Sequence, residues 1–135
     1  MQQTASAEVG GGVKPPVEPL IEAIASICHE ANRAWCDHWG SDVQVPWKDA
    51  PQWQKDSAVD GVRFIVDCHK RGFKFSAEDV HEHWRDKKFS DGWKWAAIKN
   101  PANKEHNCLL PWSELNPKER LKDELFLGIV SAFLE

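Results

Sequence analysis

A mainly α fold, built from two pseudo-repeated helical halves packed together with a short β-hairpin or extended element around residues 92–99, is what the sequence predicts. Three observations lead there. Apolar residues recur at three- and four-residue steps in separate stretches. Glycines and capping residues stand where those stretches should begin and end. A Pro-Trp dipeptide occurs twice, at Pro46-Trp47 and Pro111-Trp112, and each copy is followed by further matches at nearly the same offset.

Residues 1–17 are expected to be a flexible tail. Its glycines (Gly10, Gly11, Gly12) and prolines (Pro15, Pro16), with almost no large apolar side chains, leave too little to bury against the entropy of ordering. The domain proper is expected over 18–135. Leu20, Ile24, Ile27, Ala31, Ala34 and Trp35 set a helix from near Val17 to Leu20 to about Trp39, ended by Gly40. Asp49 is placed to cap a second helix whose stripe includes Ala58, Val62, Ile65, Val66 and His69, stopped by Gly72. Ser76 with Asp79 reads as a capping box opening a third helix through Val80 and Trp84, and Asp91-Gly92 turns the chain. The short aromatic run Trp93–Ile98 favours a strand or extended segment. Asn116, Pro117 and Glu119 supply cap, first-turn proline and capping-box acid for a last helix. Its apolar ridge (Leu121, Leu125, Ile129, Phe133), broadened by Leu127, Val130 and Leu134, predicts deep packing.

Pro46-Trp47-Lys48-Asp49 is echoed by Pro111-Trp112-Ser113-Glu114 at an offset of 65, and Lys55-Asp56 with Gly61-Val62 by Lys122-Asp123 with Gly128-Ile129 at 67. Upstream, His29-Glu30 is matched by His81-Glu82, each followed by a tryptophan. Two half-units follow from this, with extra material from Gly92 to Cys108 in the second. Halves that cannot bury their apolar faces alone should pack together, and such a seam is where pockets form.

The chain has 135 residues and a formal net charge of −4, one domain by length and too acidic for a dedicated nucleic-acid binder. Between Lys70 and Lys104, however, nine Lys or Arg face five Asp or Glu, a local +4 that could hold a small anion. Eight tryptophans and no tyrosine supply flat apolar faces, for a core, a ligand surface or both. With no signal-like start and no apolar run of membrane length, the four cysteines are expected as reduced thiols in a cytoplasmic protein.

The run His81-Glu82-His83-Trp84, Lys88, Asp91-Gly92-Trp93-Lys94-Trp95, Asn103-Lys104-Glu105-His106-Asn107-Cys108-Leu109, Leu115 and Glu119 resembles the RyR repeat of ryanodine receptors. That repeat also occurs as a free-standing domain in bacterial and bacteriophage proteins, and Cys28-His29-Glu30-Ala31-Asn32-Arg33-Ala34-Trp35 is similar to the opening of the free-standing versions. The chain departs from the family at three places. The family's Gly-Trp-x-Tyr-Gly is here Gly92-Trp93-Lys94-Trp95-Ala96, its Arg-Asp is Lys99-Asn100, and the proline of His-Pro-Cys is Asn107.

The resemblance implies a helical pair-of-repeats fold, no catalytic function and no cofactor. It also implies an adenine nucleotide or related signalling nucleotide as ligand, the base held between tryptophans and the phosphates near basic residues. Carried onto this chain, Trp93 and Trp95 would stack on the base, an interaction worth ~1 to 3 kcal/mol per base contact. The opposing aromatic would be Trp39 or Trp47. Arg33, Lys88 and Lys99 would meet the phosphates, and Asn103 and His106 complete the expected ligand-binding set. Holding such a ligand for sensing or for sequestration is the expected role; no long nucleic acid and no membrane are expected as partners, and a homo-oligomer is left open.

Other chemistries have less to rest on. The close pairs Cys28-His29, Cys68-His69 and His106 with Cys108 raise zinc, but neighbours one apart on a helix diverge by about 100° and no CxxC or HExxH spacing occurs, so no metal is expected. No serine sits in a nucleophile elbow and no phosphate loop is present. The alternative function is a protein-interaction adaptor using a Trp-rich surface, since tryptophan is enriched in interface hot spots.

Overall fold

The structure, a computed structural model, describes Pro16 and residues 18–134. The tail expected over 1–17 lies, apart from Pro16, outside the described residues. Four helices carry the fold: α1 (Ile21–Trp39), α2 (Gln52–Lys70), α3 (Ala77–Ser90) and α4 (Pro117–Ser131). Between α3 and α4 lie two short strands, β1 (Lys94–Trp95) and β2 (Glu105–His106).

The core forms where the apolar stripes meet. Ile21, Ile24, Ala25 and Cys28 of α1 pack with Val62, Ile65 and Val66 of α2, Val80 of α3 and Val130 of α4. Gly61 lets α2 approach α4 closely, because a β-carbon there would stand 3.0 Å from Phe126 Cζ.

Helix boundaries follow local chemistry. Gly40 ends α1 in the left-handed conformation at φ +67°, which a side chain would resist. Ser76 opens α3 with a complete capping box, its hydroxyl accepting from Asp79 N and Asp79 Oδ2 accepting from Ser76 N. Asn116 caps α4 by accepting from Glu119 N at 3.0 Å.

Four details differ from the sequence expectations. Asp49 does not cap α2; it ends a 3-10 turn at Trp47–Asp49, and Pro51 takes the cap position. The reason is Pro51 itself, which drives Ala50 into the extended region (ψ 142°) and keeps the helix from starting earlier. Glu119 does not close a capping box, because its carboxylate turns to Cys108 Sγ (3.2 Å) and Lys122 Nζ (3.1 Å). The β element is no hairpin: β1 and β2 pair in parallel, Lys94 opposite Glu105 and Trp95 opposite His106. After β1 the chain swings out through a 3-10 turn at Pro101–Asn103 and returns through Lys104 at φ +54°, so that β2 runs in the same direction as β1. Finally, α4 is not deeply packed. Only Val130 on it is fully buried and Leu121 is 50% exposed, because part of its inner face borders a cavity instead of core.

One set of contacts occurs twice. His29 Nε2 donates to Val45 O (2.6 Å), Glu30 accepts from Trp47 N (2.8 Å) and Arg33 donates to Glu30 (2.9 Å). Likewise His81 Nε2 donates to Leu110 O (2.7 Å), Glu82 accepts from Trp112 N (3.0 Å) and Arg85 donates to Glu82 (3.0 Å). Each carboxylate pins the start of a Pro-Trp turn to the preceding helix and is itself held by an arginine three residues on. Charge-assisted bonds of this kind are the stronger class.

Candidate functional site

All four helices contribute to the wall of one cavity of about 240 Å³. Asn32 comes from α1, Trp53 and Ser57 from α2, Trp84 and Lys88 from α3, and Lys122 and Asp123 from α4. Asp42, Lys99, His106 and Cys108 enter from the connections. Its walls are mainly apolar with a small number of polar groups, the usual make-up of a small-molecule site.

Lys88 dominates the electrostatics. It is 5% exposed, and its ammonium stands 4.8 Å from the ring centre of Trp53 and 4.7 Å from that of Trp93. The two indoles are 5.1 Å apart and tilted by 52°. They hold the cation by cation–π attraction, worth roughly 0.5 to 2 kcal/mol per ring depending on desolvation. Among the described residues no hydrogen bond or ion pair reaches Lys88 Nζ. Burial lowers the pKa of Lys88, with the neighbouring Asp91 charge working the other way.

The other lysines on the wall are engaged. Lys99 Nζ lies 3.1 and 3.2 Å from the two carboxylate oxygens of Asp42. Lys122 Nζ sits 3.1 Å from Glu119 and 3.9 Å from Asp42; burial opposes its charge, but these carboxylates outweigh burial and its pKa is raised. Lys87 pairs with Asp91 at 3.1 Å. Asp60, near the edge of the wall, accepts from His83 at 2.8 Å.

Two titratable groups on the wall are shifted toward their neutral forms. Burial pushes the Asp123 carboxyl up to about 7, reinforced by the Glu119 charge, and His81 Nδ1 stands 3.6 Å from its Oδ2. Burial and the nearby Lys99 and Lys88 charges push His106 down to about 3. Its Nδ1 accepts from Cys108 N at 3.0 Å, so the ring proton rests on Nε2, a neutral donor. All four cysteines are free. Burial drives the Cys28 thiol up to about 12, and burial with Glu119 does the same to Cys108. Neither is a thiolate nucleophile at neutral pH. Among the described residues no group of three or more His, Cys, Asp or Glu could hold a metal ion, and no helix is long and apolar enough to cross a membrane.

Of the residues expected to bind ligand, Lys88, Lys99 and His106 are brought together on this wall. The others stand elsewhere. Trp93 is 7% exposed and backs Lys88 from behind. Trp95 is 49% exposed, outside the cavity, and donates to Asn107 O at 3.2 Å. Trp39 lies near the end of α1 under Lys118, and Trp47 packs edge-on against His29. Arg33 is committed to Glu30, and Asn103 belongs to the turn before β2. The tryptophans on the wall are Trp53 and Trp84, neither of which sequence reasoning placed in the ligand-binding set. Trp53 carried one signal, its place in the first turn after Pro51; nothing in the sequence announced that Glu119, Lys122 and Asp123 would face a cavity.

No curated protein matches the chain. A family model does: the RyR domain matches residues 65–127, which run from the second half of α2 into α4. That segment holds Lys88, Lys99, His106, Lys122 and Asp123, whereas Asn32, Asp42 and Trp53 of the same wall lie before it. The match takes in α3, both strands and the motif residues from His81 to Glu119, and it identifies residues 65–127 of the chain as a RyR domain.

Proposed function

We propose that the chain is a non-enzymatic binding module that takes a small nucleotide-derived anion into the cavity between its helices. The observation that carries the reading is Lys88, a lysine with 5% exposure and no carboxylate partner, on the wall of a cavity that also presents an indole. A buried ammonium without a counter-charge costs stability, and a cavity-facing one has an obvious use in meeting an anion. Trp53, 38% exposed, offers its ring to a flat heterocycle, and the neutral Nε2–H of His106 adds a directional donor. In this reading the two helix pairs, each fastened by its His, Glu and Arg contacts, act as repeats with the cavity at their seam. The raised thiols, with no activated nucleophile among the described residues, favour binding over catalysis.

Whether the module senses its ligand or sequesters it follows from kinetics. A sequestering module releases slowly, and millisecond release of every ligand would count against that role. The adaptor alternative draws on Trp39 and Trp95, at 46% and 49% exposure, but Trp39 is already covered in part by Lys118.

The test is a thermal-shift panel of AMP, ATP, ADP-ribose and cyclic mono- and dinucleotides, with adenosine as the uncharged control. A ligand at 100 times its dissociation constant adds ~2.7 kcal/mol, a shift of roughly 10 °C for a domain of this size. Stabilisation that needs the phosphate and vanishes in Lys88→Met is expected. Stabilisation by none of the panel, or equal stabilisation of Lys88→Met, overturns the reading.

A further inference from the structure

The geometry points to a ligand that brings a single negative charge, a phosphodiester or carboxylate joined to a flat ring, and to Asp42 as the residue that excludes more highly charged phosphates. This inference rests on the proposed binding function and specifies its ligand class.

It follows from how the lysines on the wall are paired. Of the four, Lys87 is neutralised by Asp91, Lys99 by Asp42 and Lys122 by Glu119, each at 3.1 Å, while among the described residues no carboxylate stands at ion-pair distance from Lys88. One cation is therefore free to meet a ligand. A second negative charge would find no unpaired cation and would face the carboxylates of Asp42 and Glu119. Desolvating a charge without a partner is the costliest event in binding. Trp53 and Trp93 reinforce the point, because their ring faces satisfy the ammonium on two sides and leave little of its surface for further anionic oxygens. The remaining polar groups favour neutral partners. The Nε2 of His106, the Oγ of Ser57 and the Nδ2 of Asn32 border the cavity and donate to no protein acceptor among the described residues, so they suit ring nitrogens and sugar hydroxyls.

Asp42 is the residue to perturb. It sits in the loop after α1, accepts from Lys99 with both carboxylate oxygens, and lies 3.9 Å from Lys122. Its φ of +52° is in the left-handed region, which asparagine tolerates as readily as aspartate. Asp42→Asn therefore keeps the backbone while releasing Lys99, so the variant should acquire a second free cation.

The experiment titrates wild type and Asp42→Asn, near pH 8, with adenosine, 3′,5′-cyclic AMP, AMP and ATP, and with the corresponding guanine series. At that pH cyclic AMP carries one charge and AMP close to two, the second phosphate pKa being about 6. Wild type is expected to bind the cyclic phosphodiester at least about tenfold tighter than the linear mono- and triphosphate, and Asp42→Asn to narrow that ratio by about tenfold, equivalent to ~1.4 kcal/mol. Tighter binding of AMP or ATP by wild type sinks the single-charge inference but leaves the binding function standing. An unchanged ratio in Asp42→Asn removes the role given to Asp42. Failure of every nucleotide to bind overturns the inference together with the function it rests on.

Discussion

Replacing Asp123 by asparagine should change the pH dependence of folding by an amount the structure allows to be worked out. The carboxyl is 22% exposed, and burial with the adjacent Glu119 charge raises its pKa from 3.8 to about 7; His81, Lys122 and Glu124 are the other titratable groups around it. A raised folded-state pKa means that the folded chain holds a proton the unfolded chain has lost, between about pH 4 and pH 7 in this case. Stability therefore falls as pH rises through that window, by about 1.4 kcal/mol per unit for one proton, and is flat above it. From pH 5 to pH 8 the wild type should lose roughly 2 to 3 kcal/mol through this group alone. Asparagine keeps the shape and carries no charge, so the difference Asp123→Asn minus wild type should move by that amount in favour of the variant. Urea unfolding at the two pH values, followed by tryptophan fluorescence, measures it. A difference that stays within about 0.5 kcal/mol between pH 5 and pH 8 would show that the Asp123 pKa is not raised, and the electrostatic description of the cavity would be wrong.

Further expectations follow from the same wall and from the helix fastenings. His106→Gln should behave with the opposite sign: the folded-state pKa is depressed from 6.5 to about 3, so the wild-type histidine contributes stability above pH 6.5 that is lost as pH falls through that range, and the glutamine variant should be relatively more stable at pH 4 than at pH 7 in the same urea experiment. Glu82→Gln weakens both the Trp112 N bond and the Arg85 pair and should cost about 1.5 to 3 kcal/mol, and Glu30→Gln should also destabilise; a loss at only one of the two sites would show that the matching contacts are not equivalent. Lys88→Met should raise the stability of the ligand-free protein, since burial of the ammonium outweighs its two ring contacts; a loss above about 1 kcal/mol would show the lysine to be structural. Ser76→Ala removes the cap of α3 and should cost about 1 kcal/mol in thermal unfolding.

Much of the architecture was legible because it is written in local chemistry. Gly40, Ser76 and Asn116 announce helix ends through backbone conformation and capping, which depend on a few neighbouring residues. Asp49 has the chemistry of a cap, but Pro51 sets the start of α2, because a proline constrains the residue before it wherever it stands. The parallel pairing of Lys94 with Glu105 could not be read, since it depends on a left-handed Lys104 in the middle of a loop. The site was legible by residue type more than by position. Lys88, Lys99 and His106 were named from the sequence and do share the cavity wall. Trp93 and Trp53 are interchangeable in composition, and only the packing of α2 against α3 puts one behind Lys88 and the other on the wall. Charge pairing was the least visible property. The lysine-rich segment reads as a broad basic patch, yet Asp42, 57 residues away from Lys99 along the chain, neutralises one of its members.

Lys88 is where the account can be tested most directly. Calorimetric titration of 3′,5′-cyclic AMP and AMP, each into wild type and into Lys88→Met, asks whether that one ammonium receives the ligand. The account predicts saturable one-to-one binding by wild type, with affinity reduced at least about tenfold in the folded variant. Equal affinities for the two proteins, or no heat from either nucleotide with wild type, would contradict it.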